Sequence, residues 1–361
     1  MAITRRKFLE TCFMGAGAMM TRFPDNQYPA LDAFPEDKKL GRNCVGGQIN
    51  IRSKPSVSSS EVGVMYADDV FEWGEEVLGE TPPGLISRRW VEMKDGYVYA
   101  PSIQPVRFIP QVPLATLPEK NGMVGFWAEV TVPYVDIILD NGPLPRSPWL
   151  KEIDKPRLYY SQVIWVDGIK TGDDGRIYYH LTERVGSYGD LFWADAEAFR
   201  LIPEEEIAPI NPDVENKSVV VNLDYQTLSC YEGSREVYFC RVSTGAQFDA
   251  SGNPVDEWPT PPGVHQIWRK VISIHMSGGG TGAGWDTPAV AWTTLFVGEG
   301  VAIHSTFWHN DYGTPRSHGC VNTRPEDAKW VFRWTAPAVD YTAGDLTISG
   351  PIGTPIIVTK A

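Results

Sequence analysis

Short apolar runs alternate with polar turns along most of the chain, a pattern typical of β-strands rather than long helices. In the last third, three such runs follow one another at 218–223, 227–231 and 236–242, and another closes the chain at 353–358. Polar turns separate them, which favours antiparallel pairing. We therefore predict a β-rich unit over residues 217–361.

Two earlier stretches carry the same strand pattern in smaller units. Residues 41–108 contain several short strand-like runs, and Asp95-Gly96 between two of them predicts a tight hairpin turn. A looser copy of this unit is predicted at 120–207. Residues 25–40 are polar, contain proline and lack periodicity, so they are predicted to be a linker.

One segment in the last unit has helical rather than strand character. Thr323 and Glu326 have the spacing of a capping box, in which two side chains satisfy free backbone groups at a helix start. A short helix is therefore predicted to run to Trp334.

Composition and charge limit the partners of the protein. The chain has 361 residues, with 32 Lys and Arg against 45 Asp and Glu, and a formal net charge of −13. No broad positive field is available for a phosphate backbone, so nucleic acid is not an expected partner. The Gly-rich stretch 276–284 lacks a following Lys-Ser/Thr, so no nucleotide is expected there either.

The N-terminus has the features of an export signal. Arg5-Arg6 stands directly before Phe8-Leu9, and a mildly apolar stretch follows to Met20. Residues 1–24 resemble a twin-arginine signal, which predicts an extracytoplasmic protein in the cell envelope, periplasm or cell wall. Contact with a membrane is expected only through this segment, if it stays uncleaved as an anchor.

The cysteines are not arranged for metal binding or for an obvious disulfide. Five are present, without a Cys-x-x-Cys pair or a zinc-type Cys/His cluster, so no metal site and no cofactor are predicted. Cys230 and Cys240 flank a turn that places Cys230 opposite Val237, which disfavours a bond between them.

Reactive side chains are concentrated near Cys320. Four of the six histidines lie between 274 and 320, and His304-Ser305 precedes the run Ser317-His318-Gly319-Cys320-Val321-Asn322. A cysteine attacks a carbonyl as its thiolate, so it needs a base and a site that tolerates an oxyanion. The predicted helix start just after Cys320 would favour the thiolate.

This run, with the upstream Ile303-His304-Ser305, closely resembles the signature of L,D-transpeptidase (YkuD-type) catalytic domains. The order of motifs before and after it agrees over about the last 145 residues. The first unit resembles a bacterial SH3-type module. The marks are Asn50–Ser53, Pro55, Trp90-Val91 and Gly96–Val98. The resemblances imply a mainly β protein with one or two small SH3-like barrels, then a transpeptidase domain with a short helix after its nucleophile.

The resemblance also implies roles for particular residues. Cys320 is the expected nucleophile, His304 its base, and the Ser305 carbonyl the group that orients the base. The residues expected to line the pocket or the oxyanion site are His318, Gly319, Ser305, Ser317 and Asn322. Residues 276–284 correspond to a flexible flap near the groove, and His309 is interpreted as a surface-loop residue.

The implied function is peptidoglycan biosynthesis, in which stem peptides are cross-linked through a Cys320 thioester, with consequences for cell-wall organisation and cell shape. With water as acceptor, the same thioester would make a carboxypeptidase. A non-catalytic wall-binding protein is a third alternative. An NlpC/P60-type endopeptidase is disfavoured because its cysteine precedes its histidine, whereas no histidine follows Cys320.

Overall fold

The computed structural model describes residues 30–140, 145–248, 253–255, 258–278, 285–298 and 300–360. The predicted signal at 1–24 and most of the glycines of the predicted flap lie outside these residues. Strand accounts for 44% of the structure and helix for 8%, so the mainly β prediction is confirmed. Within the described residues, no helix is both long and apolar enough to cross a membrane.

The first unit folds as two antiparallel sheets in the orders β4-β1-β8 and β3-β2-β7-β6-β5. Its strands are β1 (Leu40–Asn43), β2 (Ile49–Arg52), β3 (Glu61–Met65), β4 (Val70–Glu72), β5 (Glu76–Leu78), β6 (Arg89–Met93), β7 (Gly96–Tyr99) and β8 (Ile103–Val106). A short 3₁₀ turn, Ala100–Ser102, precedes β8. This β-rich arrangement is consistent with a small barrel, and the SH3-type assignment stays a prediction.

The predicted hairpin joins β6 and β7, but its turn lies one residue earlier than predicted. Met93 pairs with Gly96, so Lys94 and Asp95 form the turn and Gly96 already belongs to the strand. Gly96 has φ +153°, and a Cβ there would lie 2.4 Å from the Arg52 carbonyl oxygen. The glycine therefore serves close strand packing rather than the turn.

The second unit is built on the six-stranded sheet β13-β17-β16-β15-β11-β18. Its elements are β9 (Glu119–Lys120), β10 (Met123–Val124), β11 (Phe126–Val130), β12 (Tyr134–Asp136), β13 (Ile138–Leu139), α1 (Pro148–Glu152), β14 (Arg157–Tyr159), β15 (Val163–Thr171), β16 (Ile177–Thr182), β17 (Leu191–Asp195) and β18 (Phe199–Leu201). Two 3₁₀ turns lie at Ala196–Ala198 and Glu204–Glu206.

The third unit consists of two five-stranded sheets, β21-β20-β19-β28-β22 and β26-β25-β24-β23-β27. Its elements are β19 (Lys217–Asn222), β20 (Thr227–Glu232), β21 (Arg235–Arg241), β22 (Gly263–Gln266), β23 (Arg269–Gly278), β24 (Trp285–Val297), β25 (Val301–Ser305), β26 (Val321–Thr323), α2 (Pro325–Trp334), β27 (Asp345–Thr347) and β28 (Pro355–Thr359). The predicted antiparallel opening is confirmed in β19, β20 and β21.

Cys230 and Cys240 are both free thiols in this unit. Cys230 lies opposite Tyr238, not opposite Val237 as the turn suggested, because a bulge follows it in the ladder. The disfavoured disulfide between the two cysteines is accordingly not formed.

A hydrophobic core joins the second and third units. Trp127 and Trp165 of the second unit meet edge to face at 5.2 Å between ring centroids, and Trp292 of β24 packs in the same way on Phe332 of α2 at 5.6 Å. All four belong to one buried cluster. Because the core crosses the boundary, the position of β24 and α2 depends on the second unit.

Candidate active site

Of the two residues predicted to react, His304 lies on β25, and Cys320 directly precedes the neighbouring parallel strand β26. His304 of β25 is paired with Asn322 of β26, and Ile303 with Val321. Ile303 and Val321 point into the hydrophobic core, so by strand alternation His304, Asn322 and the preceding Cys320 share the other face. The sulfur-bearing side chain of Cys320 packs on the cluster containing Ala302, two residues before His304.

The imidazole of His304 is held in its neutral form. It is almost completely buried, and its Nδ1 lies 2.8 Å from the Ser305 carbonyl oxygen. A carbonyl only accepts, so Nδ1 carries the proton and Nε2 keeps its lone pair. Burial lowers the pKa of His304 to about 4, against a smaller opposing effect of the Ser305 carbonyl. The ring is therefore uncharged at neutral pH.

Cys320 rests as a protonated thiol. Its side chain is partly exposed, and its Sγ lies 3.4 Å from the Gly300 carbonyl oxygen, to which the thiol donates. Burial raises the pKa of Cys320 to about 11, and the Ala302 amide opposes this only in part. The thiol of Cys320 and the imidazole of His304 are therefore both neutral at rest.

The prediction that a helix start ionises the thiol is wrong. Helix α2 begins at Pro325 after an N-cap, Arg324, that makes no side-chain cap, and strand β26 separates it from Cys320. The Thr323 hydroxyl, predicted to cap the helix, donates instead to the His304 carbonyl oxygen at 3.1 Å. Thr323 thus ties β26 to β25.

The loop before the nucleophile is fixed by its own hydrogen bonds. The Ser317 hydroxyl donates to the Cys320 carbonyl oxygen at 2.5 Å and accepts from the Gly319 amide at 3.1 Å. Thr260, which had no predicted role, donates to the Gly319 carbonyl oxygen at 2.7 Å. Gly319 has φ +117°, where other residues are strained, although a Cβ would meet nothing closer than 3.5 Å.

His318 forms an exposed wall beside this loop. Its ring lies 4.1 Å from that of Trp258 and 4.8 Å from that of Trp285, measured between centroids. Trp285 opens β24 directly after residues 279–284, which the structure does not describe. Partial burial between the two indoles lowers the pKa of His318. Its place is consistent with the predicted pocket-lining role.

Comparison with known families identifies this unit. Residues 216–358 match the sequence model of the L,D-transpeptidase catalytic domain, YkuD. They form an L,D-transpeptidase catalytic domain. The match does not extend to residues 1–215, and no curated protein matches the chain.

Solved L,D-transpeptidase structures align with part of the chain. A mutant enzyme from Enterococcus faecium is 24% identical, covering 40% of this chain and 50% of that chain, with a TM-score of 0.30. An enzyme from Mycobacterium smegmatis is 18% identical, covering 51% and 90%, at 0.31. An LD transpeptidase in complex with imipenem is 15% identical, covering 53% and 99%, at 0.31. The aligned region spans half the length of the Enterococcus faecium chain.

Asn322 acts as a scaffold of the transpeptidase domain. Its backbone exchanges two hydrogen bonds with Ser243, at 2.8 and 2.9 Å, and its buried side-chain amide lies 3.0 Å from His309 Nε2. His309 Nδ1 accepts from the Asp311 amide at 3.2 Å, and its Nε2 faces Asn322 Nδ2. The Asn322 side chain thus points into the protein, against His309.

The interpretation of His309 as a surface-loop residue is wrong. The side chain is 5% exposed, and burial lowers its pKa to about 3. The sequence did not reveal the burial of His309, because the run Trp308-His309-Asn310-Asp311 looks polar. Its partner Asn322 is also 13 residues away.

His275 has a role that the sequence left undecided. Its Nδ1 lies 2.7 Å from Glu183 Oε2 of the second unit, and its Nε2 bonds Asp286 of β24. Burial acts to lower the pKa of His275, but the two carboxylates outweigh it and raise the pKa. This charged clasp, Glu183–His275–Asp286, joins the second unit to the two strands that flank residues 279–284.

Within the described residues, no group of three His, Cys, Asp or Glu side chains is placed to hold a metal ion.

Proposed function

We propose that the protein is an extracytoplasmic peptidoglycan L,D-transpeptidase that forms a thioester on Cys320. The family match supports the class of enzyme. The observation that carries the residue assignment is the neutral His304, whose proton sits on Nδ1 through its bond to Ser305 and whose Nε2 is left as a base on the face shared with Cys320.

In the proposed first half-reaction, His304 Nε2 takes the thiol proton as Cys320 Sγ attacks a carbonyl carbon of a stem peptide. The carbonyl oxygen becomes an oxyanion, for which the Cys320 amide at the end of the Ser317–Gly319 loop is the proposed donor. Collapse of this intermediate breaks the C–N bond. The protonated His304 then gives its proton to the leaving amine of the terminal residue, and the thioester remains.

In the second half-reaction, an amine of another stem peptide attacks the thioester. His304 removes one proton from that amine, the new amide forms, and the Cys320 sulfur leaves and regains a proton. Water in place of the amine gives the carboxypeptidase alternative. His318, between two indoles, is proposed to shape the groove rather than to move protons.

Intact-mass analysis after incubation with disaccharide-tetrapeptide tests the proposal. Cross-linked dimers are the expected product. Trimmed tripeptide would instead identify a carboxypeptidase, and unchanged substrate would favour the wall-binding alternative. Cys320→Ala should abolish the thioester, and His304→Ala should slow its formation by about 10² or more. The buried thiols Cys44, Cys230 and Cys240 serve as internal controls, because an adduct on one of them contradicts the assignment.

The pH dependence of acylation provides a separate check on His304. The base must be neutral to accept the thiol proton, so the rate should be level near neutral pH and fall as the pH approaches about 4. A fall centred near pH 6.5 would mean that another histidine is the base.

Export by the twin-arginine route is part of the same proposal, because the polymer lies outside the cytoplasm. Replacing Arg5 and Arg6 by Lys should retain the protein in the cytoplasmic fraction, and unchanged secretion would contradict that route.

A further inference from the structure

A wide cleft in the described part of the chain does not contain the Cys320 thiol. It is a cleft of about 1000 Å³ where all three units meet. Lys39 and Arg89 line it from the first unit, Arg200 from the second, and Arg241 and Arg324 from the transpeptidase domain. Cys320, His304 and His318 are not among its lining residues. The cleft is therefore separate from the groove of the proposed reaction.

The cleft is basic in a protein that is otherwise acidic. Seven Lys and Arg side chains line it, against three Glu side chains, whereas the whole chain has a net charge of −13. Such a reversal of sign concentrates positive potential between low-dielectric walls.

Some of these charges are already neutralised by ion pairs. Arg89 Nε lies 2.6 Å from Glu76 Oε1. Arg200 pairs with Glu129 and Glu206, and Lys329 also pairs with Glu206. These contacts account for three of the seven basic side chains.

Four cations of the cleft remain, and none has a carboxylate within ion-pair distance in the described part of the chain. They are Lys39, Arg88, Arg241 and Arg324. Glu326 is the one lining acid without such a partner among the described residues, so a surplus of positive charge is left for an occupant.

Two of the four cations are placed by aromatic rings. The Lys39 ammonium lies 4.1 Å from the centroid of a Trp73 ring, and the Arg324 guanidinium lies 5.3 Å from that of Tyr312. Burial lowers the pKa of Lys39, and the positive charges of Arg89, Arg107 and Arg324 lower it further against the pull of Glu76. The cations thus repel one another at close quarters, a cost that an anionic ligand would relieve.

We propose that this cleft binds a carboxylate-bearing peptide of the wall polymer, outside the groove of Cys320. The proposal rests on the proposed function for the identity of the polymer. Carboxylates spaced by amides suit the lining better than a densely charged phosphate chain, because Glu76, Glu129 and Glu326 stand among the cations. The aromatic faces of Trp73, Tyr160 and Tyr312 provide packing for the peptide between them.

The cleft also reaches a residue that supports strand β26. His309 lines it and bonds Asn322 of β26, which directly follows Cys320 and Val321. An occupied cleft would therefore hold a neighbouring part of the polymer against the residues that support β26, the strand directly after Cys320.

Binding of a soluble stem tripeptide to the full chain tests the proposal by calorimetry. The tripeptide lacks the terminal residue that the reaction releases, and Cys320 is first alkylated with iodoacetamide to obstruct the groove. Combined replacement of Lys39, Arg241 and Arg324 by Gln should weaken binding by about tenfold or more, because the loss of one charge-assisted hydrogen bond is sufficient for that change. A tripeptide with amidated carboxyls carries no negative charge there for the cations to bind. It should therefore bind to the natural sequence and to this variant with the same affinity.

The matched control replaces Lys54, Lys94 and Arg235 by Gln, which removes the same charge outside the cleft. The control should keep its affinity, and thermal melting should show that both variants fold. Equal loss in both variants would overturn the proposal, since only net charge would then matter. Displacement of the tripeptide by inorganic tripolyphosphate at lower concentration would also overturn it in favour of a phosphate site.

Failure of the proposed function and failure of the cleft proposal give different results in the same protein. With unalkylated protein and the disaccharide-tetrapeptide, absence of a Cys320 thioester alongside cleft-dependent tripeptide binding would reject the reaction and support the cleft. A thioester together with variant-independent binding would reject the cleft alone.

Discussion

The transpeptidase domain meets the second unit through aromatic side chains and the first unit across a charged cleft. On the second-unit side, Trp127 and Trp165 continue directly into a core with Trp292 and Phe332. On the first-unit side, the direct contacts are hydrogen bonds, such as Arg42 Nη2 to the Phe307 carbonyl oxygen and the Asn310 amide to the Pro101 carbonyl oxygen, both at 2.9 Å.

This difference indicates different mechanical roles for the two units. Burial of large rings is non-directional and stabilises in proportion to area, so the second unit and the transpeptidase domain should behave as one cooperative body. Polar contacts around an open cleft stabilise little. The first unit is nevertheless held to the second by a buried core that contains Leu40, Val106 and Phe108, so the difference concerns only its contacts with the transpeptidase domain.

The largest effect is expected from removing a ring of the shared core. Trp127 is 1% exposed, and its Nε1 donates to the Tyr341 carbonyl oxygen at 2.8 Å. Trp127→Ala should lower the free energy of unfolding by about 3–5 kcal/mol, measured by denaturant titration. Tyr225→Ala, at a side chain 71% exposed, is the control and should change it by less than about 0.5 kcal/mol. Separate melting of the second unit and the transpeptidase domain would contradict the shared core.

An intermediate effect is expected from the clasp at the same interface. The pKa of His275 is raised above its unfolded value, so the clasp should stabilise fully below pH about 6.5 and weaken as the pH rises through the folded pKa. His275→Gln should cost roughly 1.5–3 kcal/mol at pH 6, and the difference from the natural sequence should shrink at alkaline pH.

Denaturant titrations at several pH values measure the difference in the free energy of unfolding between His275→Gln and the natural sequence. His180→Gln, the same substitution outside the interface, is the control. The natural sequence also contains His304 and His309, whose lowered pKa values destabilise the fold as the pH falls below 6.5. They are retained in both proteins, so their contribution cancels in the comparison. A pH-independent difference would mean that His275 is neutral in the fold.

The smallest effect is expected at the first-unit side. Arg89 pairs with Glu76 and donates to the Asn310 carbonyl oxygen at 3.3 Å, with 27% of its side chain exposed. Arg89→Gln should cost at most about 1 kcal/mol and less at high salt. Lys94→Gln, on the adjoining hairpin turn, is the control. A loss as large as that of Trp127→Ala would show that the first unit is docked as rigidly as the second.

The site residues named from the sequence lie in short local motifs, and their roles stay a prediction. Cys320, the Ser317–Gly319 loop and His304 lie in short motifs, and strand alternation is enough to place two of them on one face. The β-strands that open the third unit and the helix ending at Trp334 were also predicted, because their patterns are local.

What the sequence did not predict depends on contacts between distant segments. The pKa of Cys320 is raised by burial, which no motif reports, and the expectation of a helix-assisted thiolate was wrong for this reason. Glu183 lies 92 residues from His275, so their bond leaves no spacing signal. The roles of Thr260 and Thr323 likewise arise only when separate strands and loops come together.

The protonated state of Cys320 has a consequence for chemical durability. Peroxide and other oxidants attack thiolates, not thiols, and oxidation past the sulfenic acid is irreversible in most proteins. With its pKa raised to about 11, Cys320 is held as the thiol at pH 7. For a protein exported as proposed above, away from cytosolic reductants, the nucleophile is therefore shielded from oxidation until a substrate and His304 act on it together.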